Sequence, residues 1–331
     1  MFQTTRQRIG RMGRAVLLAT ALGGLAAAPA GAQDAFPSRP VKILIPTAPG
    51  GNMDTLARIV AEKMTASWGQ QVIVESRAGA NTVLATTAVA KSPPDGYTAL
   101  FTLSGFVQNL VLMPSPPYKV ADFAPVSMVA VFPIALAANA NLPANTLQEV
   151  VKLAHEKPDT ISFGSYGVGS GGHIIGEGLN KAAGIRLNHV PYKGEAAAFP
   201  DLVSGQIGLA YGSTGFYSSQ VGTGKVKLIA VASPKRLKAF PNVPTFAEGG
   251  YPDVNLAGWG GMLLPAATPP AIVDKYTAEL RRIVALPEVQ ARILQLGFEP
   301  AGTTREEFAQ AIAGDIQRWG AIVRANNIKL E

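Results

Sequence analysis

Residues 43–54 read Ile-Leu-Ile-Pro-Thr-Ala-Pro-Gly-Gly-Asn-Met-Asp, which is typical of an anion-binding turn between a strand and a helix. The apolar residues 41–45 predict a buried strand, and Pro-Gly-Gly at 49–51 lets the backbone turn tightly with its N–H groups uncovered. Apolar residues then recur at helical spacing over 56–68. The loop therefore leads to a helix N-terminus, whose free N–H groups and dipole attract negative charge. An ordinary strand-to-helix turn of an α/β protein has the same pattern.

This first loop contains no side-chain cation. No Lys or Arg occurs in residues 46–55, so an anion bound there is held by backbone N–H groups, hydroxyls such as that of Thr47, Asn52 and water. Asp54 would repel a neighbouring anion. We therefore expect its carboxylate to brace the loop through N–H groups, or to bind a ligand's amino group or a bridging water.

A second loop repeats the arrangement. Residues 161–165 predict a strand, residues 166–172 form a loop of glycines and hydroxyls, and His173 opens a helix. The carboxyl ends of parallel strands are where ligands bind in open α/β sheets. Two such loops facing each other across a cleft predict a site for a small anionic ligand.

Other chemistries are less well supported. Residues 167–172 match G-x-G-x-x-G, but the acid expected about 20 residues later is replaced by Tyr192-Lys193-Gly194, so a nicotinamide-dependent enzyme is the weaker alternative. Phosphate-binding P-loop, G-x-S-x-G and H-E-x-x-H motifs are absent from the sequence. The three histidines are too scattered in the sequence to predict a metal site: His155 ends a helix, His189 lies in a strand, and His173 either contacts ligand or caps its turn.

Alternating strands and helices position the loops. Strand-like segments are 41–45, 71–75, 97–103, 124–131, 133–138, 161–165, 187–192, 206–211, 226–232 and 255–264. Helix-like segments start at Asp54 and occupy 82–90, 146–155, 174–183, 196–203, 270–285, 287–296 and 305–325. Two α/β halves joined by extended crossings at 124–138 and 255–264 predict two lobes with a double-strand hinge. We expect lobe 1 to comprise 33–131 and 257–331, and lobe 2 to comprise 132–256.

The N-terminal segment has the features of a leader. Four arginines precede an apolar stretch, and Ala30-Gly31-Ala32 forms an A-x-A cleavage site before Gln33. We expect residues 1–32 to be removed during export and the remaining chain to be soluble. The leader carries four arginines and no acid, so the charge of the chain falls from +7 to +3 without it. This charge, without basic runs, gives no support for nucleic-acid binding, and the absence of cysteine excludes disulfides and thiolate chemistry.

Short motifs along nearly the whole exported chain resemble one family, the substrate-binding receptors of tripartite tricarboxylate transporters, known as the Bug or TctC family. The motifs are FPSRP at 36–40, PTAPGGNMD at 46–54, PDGYT at 94–98, DFAPV at 122–126, GSYGVGSGGH at 164–173, HVPYKG at 189–194, VPTFAE at 243–248 and TP at 268–269. Two segments depart from the family pattern. Residues 75–82 read ESRAGANT where ENRPGAGG is usual, and Ala197 replaces a common proline.

The resemblance implies an α/β periplasmic-binding-protein fold of type II, the two-lobed Venus flytrap, that binds a small carboxylate without catalysis or cofactor. It also implies a periplasmic location, a monomer, and partnership with a large and a small membrane subunit of a secondary transporter. A ligand-sensing subunit for a two-component kinase is the alternative. The expected ligand-binding residues are Thr47, Ala48, Gly50, Gly51, Asp54, Asn81, Ser104, Ser165, Gly169, Ser170, Gly171 and His173.

Overall fold

The computed structural model describes residues 36–329, so the predicted leader lies outside the described residues. The chain divides into two units, Met1–Ser38 and Arg39–Glu331, and the elements below all belong to the second. None of the helices in the described range is long and apolar enough to cross a bilayer.

Strands and helices alternate along most of the chain. The strands are β1 Val41–Ile45, β2 Val72–Ser76, β3 Thr98–Leu103, β4 Phe123–Phe132, β5 Ile134–Asn139, β6 Ser162–Ser165, β7 Asn188–Pro191, β8 Leu209–Ser213, β9 Val226–Ala232, β10 Gly258–Pro265 and β11 Glu299–Pro300. The α-helices are α1 Asn52–Trp68, α2 Val83–Ala90, α3 Gly105–Leu112, α4 Leu147–Glu156, α5 Gly171–Ala183, α6 Glu195–Ser204, α7 Thr214–Val221, α8 Pro270–Val284, α9 Pro287–Gln295 and α10 Arg305–Ala325.

The strands form two sheets. Sheet A has the order β11-β4-β10-β3-β1-β2, and sheet B has the order β7-β6-β8-β5-β9. In sheet A, β1 is parallel to β2 and β3; in sheet B, β6 is parallel to β7 and β8. The loops that leave β1, β2 and β3 therefore gather at one edge of sheet A, and those that leave β6 and β8 gather at one edge of sheet B.

The chain crosses between the sheets twice. It leaves sheet A at the end of β4 and enters sheet B with β5, with Pro133 alone between them. It returns through residues 233–257, where Asn255 exchanges two hydrogen bonds with the backbone of Ser233. Two crossings agree with the expected hinge, but only the first is extended, since residues 233–257 consist mainly of turns and include the short 3-10 helix Pro252–Val254. The predicted return crossing, 255–264, lies mostly in β10 of sheet A. The residue boundaries of the lobes remain a prediction.

One apolar core extends along both sheets. It includes Leu100 of sheet A, Phe163 of sheet B, and Trp319 of α10, all of which are buried. The helix α10 contacts β4 as well as α3 and α5. The last helix of the chain therefore ties together the helices that follow β3 and β6.

The sequence predicts most of these elements, and two strands and one helix have the predicted bounds: β1, β9 and α10. Two helices were missed, α3 and α7. Both are eight residues long and contain glycine, β-branched or small polar residues that favour helices weakly, so packing decides their conformation. The predicted strand 206–211 was displaced, because β8 begins only at Leu209.

Candidate functional site

A buried carboxylate braces the loop after β1. Asp54, in the first turn of α1, is 3% exposed and accepts a hydrogen bond from the Gly50 N–H at 3.0 Å. The Arg58 guanidinium contacts the same carboxylate at 3.0 Å, and its hydrogen bond is the main cause that lowers the pKa of Asp54. The Gly50 N–H thus points into its own loop, whereas the sequence suggests that it faces a ligand.

Other polar groups of this first loop are free. The Thr47 hydroxyl is buried and has no hydrogen-bond partner among the described residues, while the Thr47 carbonyl accepts from the Ser76 hydroxyl. Within residues 36–329, the N–H groups of Gly51 and Asn52 also have no partner. Free donors thus lie at the N-terminus of α1, next to the exposed Ala48.

The loop after β6 is also held by its own side chains. The Gly169 N–H donates to Nδ1 of His173 at 3.0 Å, and the Ser170 hydroxyl caps α5 by accepting from the His173 N–H. The Ser165 hydroxyl contacts the Gly167 carbonyl at 3.0 Å. In the described chain, the Gly171 N–H alone among residues 169–171 has no partner. The donor that this loop can offer to an anion is therefore that of Gly171, at the start of α5.

Two histidines stack beneath the second loop. The rings of His173 and His189 are parallel within 8°, with centroids 3.9 Å apart, and Nε2 of His189 lies 2.7 Å from the Ser165 hydroxyl. Burial lowers the pKa of His173, and burial together with the neighbouring His173 lowers the pKa of His189 to about 4. Both imidazoles are therefore neutral at pH 7. The contact arises because β7 lies beside β6, and sequence separation concealed it.

Glu177 completes a group of possible metal ligands. It lies one turn after His173 on α5, and one ligand atom from each of His173, Glu177 and His189 falls within 4.8 Å of the others. The lone pairs of an imidazole lie in the ring plane, so two parallel rings 3.9 Å apart cannot both direct a nitrogen at one ion. The two histidines therefore form a stacked pair, in which Nδ1 of His173 accepts a hydrogen bond from the Gly169 N–H.

The helix α3 brings the two sheets together near these loops. The start of α3 is fixed to sheet A, because the Ser104 N–H donates to the Trp259 carbonyl of β10 at 3.2 Å. Further along, α3 approaches the loop of sheet B. A Cβ added to Gly171 would lie 3.3 Å from Nε2 of Gln108, one turn into α3. Gln108 is buried, and its amide forms no hydrogen bond within the described residues. The sheet A side thus presents a free amide to the N-terminus of α5.

A second close approach lies at the start of α1. A Cβ on Gly215, at the start of α7, would lie 2.3 Å from the Leu296 carbonyl and 3.2 Å from Nδ2 of Asn52. Asn52 itself donates to that carbonyl at 3.3 Å. The loops of sheet A and sheet B therefore meet at two points, and the free N–H groups of Gly51 and Gly171 lie near them.

The segments that carry the free N–H groups contain no cation, and Arg77, in the loop after β2, is paired with Glu75. Residues 46–55, 104–112, 165–173 and 213–216 contain neither Lys nor Arg. Arg58 lies in the next turn of α1, but it is paired with Asp54. The site therefore offers neutral donors, namely backbone N–H groups, hydroxyls and amides, which suit one carboxylate better than a multiply charged anion.

The predicted site residues divide into two groups in the structure. Thr47, Ala48, Gly51, Asn81, Ser104 and Gly171 offer groups at the loop surface or at helix N-termini, whereas Gly50, Asp54, Ser165, Gly169, Ser170 and His173 hold the loops. Sequence reasoning missed Gln108 and Asn109. Both lie on α3, and the signal that could have identified them is a pair of amides in an otherwise apolar run, 105–112.

The chain matches one family of known proteins. The model of the tripartite tricarboxylate transporter family receptor matches residues 56–328. BugT of Bordetella pertussis (strain Tohama I) is 34% identical over 308 residues, which cover 92% of this chain and 94% of BugT.

Solved structures show the same fold. The periplasmic binding protein BugD superposes with a TM-score of 0.76 at 33% identity, covering 89% of this chain and 100% of BugD. Rpa4515 of R. palustris with adipate superposes with a TM-score of 0.79 at 28% identity, covering 89% of this chain and 99% of Rpa4515. MatC from Rhodopseudomonas palustris with bound malate superposes with a TM-score of 0.74 at 30% identity, covering 87% of this chain and 100% of MatC.

These likenesses confirm the expected α/β periplasmic-binding-protein fold with its two sheets. The family match extends over most of the chain and includes α3, α5 and all of α1 except its first turn. The chain therefore belongs to the tripartite tricarboxylate transporter receptor family.

Proposed function

We propose that this protein is a periplasmic receptor that binds a small carboxylate between its two sheets and delivers it to the membrane subunits of a secondary transporter. The observation that carries the proposal is the pair of free helix N-termini. The N–H groups of Gly51 and Gly171 have no partner within the described chain, and each lies at the start of a helix after a parallel strand. A single carboxylate bound by both would join the two sheets.

The ligand contacts follow from this arrangement. The carboxylate accepts from Gly51 and Gly171, directly or through water, and the Thr47 hydroxyl donates to it. Asp54 and His173 do not contact the carboxylate directly. Each accepts a hydrogen bond from a glycine N–H and so fixes the conformation of its own loop. Ala48, Asn81 and Ser104 form the remaining wall.

The ligand class can be tested by thermal shift. Because the loops that carry the free N–H groups contain no Lys or Arg, we expect C3 to C6 mono- or dicarboxylates to raise the unfolding midpoint, and sugar phosphates or inorganic phosphate at equal concentration to leave it unchanged. Adipate and malate, which the solved relatives hold, belong in the panel. Stabilisation by phosphates without stabilisation by any carboxylate would refute the proposal.

Binding without turnover is part of the same proposal. A carboxylate that stabilises the protein should be recovered with unchanged mass after incubation with excess protein. The Ser165 hydroxyl and Nε2 of His189 lie 2.7 Å apart, but Ser165 is 0% exposed and its hydroxyl donates to the Gly167 carbonyl, so this pair braces the loop. Conversion of the carboxylate to another compound would contradict a receptor role. Co-purification with a kinase ectodomain rather than with transporter subunits would favour the sensing alternative.

Export is expected to remove the leader after Ala32. The motif Ala30-Gly31-Ala32 motivates this, and N-terminal sequencing of periplasmic protein should start at Gln33 or at its cyclised form. Mature protein that retains residues 1–32 would show the expectation to be wrong. We propose that the exported receptor works as a monomer whose lobes, 33–131 with 257–331 and 132–256, close on the ligand.

A further inference from the structure

Three consecutive residues before α2 adopt left-handed backbone conformations without being glycine. Ala80, Asn81 and Thr82 have φ of +46°, +44° and +82°. Asparagine tolerates this region, but alanine is disfavoured there and a β-branched threonine is a true outlier. Strain of this kind persists only where neighbouring contacts impose it, and it concentrates at functional sites.

One buried side chain imposes the conformation. Asn109 of α3 is 0% exposed, and its Nδ2 donates to the Asn81 carbonyl and, at 3.2 Å, to the Thr82 hydroxyl. Its Oδ1 accepts from Nδ2 of Asn81 at 3.2 Å. The Tyr118 hydroxyl accepts a hydrogen bond from the same Nδ2 at 3.3 Å, and it donates to the Phe106 carbonyl at 2.8 Å. Asn109 thus contacts both the backbone and the side chains of the strained turn.

The amide of Asn81 is only partly used. Its Nδ2 carries two hydrogens, of which one is directed at Asn109, and its Oδ1 accepts no hydrogen bond within the described residues. This oxygen lies 2.9 Å from the position that a Cβ on Gly105 would occupy. Asn81 is exposed, so one free donor and one free acceptor face solvent beside the N-terminus of α3.

This turn adjoins the proposed ligand site. Gly105, which contacts Asn81, and Gln108, which contacts the Gly171 position, lie one turn apart on α3 and therefore on the same face. Glycine would adopt this left-handed backbone without strain. This chain instead has side chains at 81 and 82 that hydrogen-bond, at a cost in backbone strain.

We infer that residues 80–82, held by Asn109, form a specificity turn in which the Asn81 amide binds a hydroxyl group of the carboxylate ligand. A hydroxyl matches one free donor together with one free acceptor, whereas a second carboxylate would be repelled by the Asn81 oxygen, and Arg77 of this loop is paired with Glu75. The inference rests on the proposed function, because it assigns one end of the carboxylate bound at α1 and α5. Asn109 is a positioning residue.

The test uses matched pairs of probes measured by calorimetry. Malate is compared with succinate, and 6-hydroxyhexanoate with hexanoate, because each pair differs by one hydroxyl. The wild-type protein should bind the hydroxylated member of the pair it recognises about fivefold more tightly, which is the effect of one neutral hydrogen bond. Asn81→Gly and Asn109→Ala should each abolish this ratio, because the hydroxylated member then loses about fivefold more affinity than its unhydroxylated partner.

Stability gives an independent readout. Ala80→Gly removes no hydrogen bond, and at φ +46° it should raise the thermal midpoint by about 2 °C, although glycine ordinarily lowers it. Asn327→Gly is the matched control for Asn81→Gly: Asn327 is an exposed asparagine with φ +51° that follows α10. It should leave the ratio of affinities unchanged.

The outcomes separate the two proposals. If the wild-type protein binds carboxylates without a hydroxyl preference, or if Asn81→Gly keeps the preference, the specificity turn is refuted while the receptor function stands. A lower midpoint for Ala80→Gly would show that the turn is not strained and would also count against the inference. If no carboxylate binds the wild-type protein, the proposed function fails and the inference fails with it.

Discussion

Gly171→Ala is expected to weaken carboxylate binding by about 30-fold, equivalent to about 2 kcal/mol. The added Cβ would lie 2.8 Å from Cδ1 of Ile134 and 2.9 Å from the Tyr166 hydroxyl. Ile134 begins β5 directly after the first crossing, and the Tyr166 hydroxyl accepts the Gly172 N–H at 3.2 Å. The methyl group therefore disturbs both the crossing and the start of α5 that presents the free N–H.

Calorimetry with a carboxylate found in the thermal-shift panel would measure this loss, and small-angle scattering would show whether ligand still compacts the protein. Gly314→Ala is the matched control, because a Cβ at this position of α10 meets nothing within 4 Å. It should raise stability by about 0.5–1 kcal/mol and leave binding unchanged. Wild-type affinity and compaction in Gly171→Ala would place the ligand elsewhere.

Acidification is expected to destabilise the protein through the stacked histidines. In the folded state the pKa of His189 is lowered to about 4, mainly by burial, whereas in the unfolded chain it returns to about 6.5. The unfolded state therefore binds more protons between these values, and stability is present above about pH 6.5 and lost as the pH falls towards 4. Between pH 7 and pH 5 the loss due to His189 should be about 2 kcal/mol.

Urea unfolding at pH 7 and pH 5 would test this expectation. Other carboxyl groups also make stability depend on pH: burial raises the pKa of Glu177, which opposes the effect of the histidine, while the hydrogen bond from Arg58 lowers the pKa of Asp54, whose contribution is lost only below the ordinary range of an aspartate. The comparison with His189→Gln cancels their contributions, and the variant should lose about 2 kcal/mol less than the wild type over the same interval. His155→Gln, at an exposed position on α4, controls for removing a histidine. An equal loss in His189→Gln would contradict the role of the stacked pair.

The histidine pair also links this acid sensitivity to the ligand loop. Nδ1 of His173 accepts the Gly169 N–H, and protonation of that nitrogen would place two donors against each other. The loop before α5 therefore depends on a neutral imidazole. The same contact explains why the Gly169 N–H is unavailable to a ligand, which the glycine-rich sequence did not indicate.

Local chemistry determined much of this protein from its sequence. The bounds of β1, β9 and α10 were predicted because apolar runs interrupted only by Lys42 and Lys227, and the capping pattern of α10, with Thr304 accepting from the Glu307 N–H, act over a few residues. The two glycine-rich loops at the ends of parallel strands followed from their order along the chain. The motifs that carry the family resemblance are likewise sequence properties, and the family match confirms the resemblance.

Only the tertiary structure decided which groups of those loops are free. Glycine-rich sequence shows that N–H groups can be exposed, but Asp54 and His173 satisfy those of Gly50 and Gly169 because the first turn of each helix folds back over its loop. The helix α3 was missed because its helical propensity is weak, and packing against α10 stabilises it. Its amides Gln108 and Asn109 reach the second loop and the turn at 80–82 through contacts between residues distant in sequence, which no local pattern records.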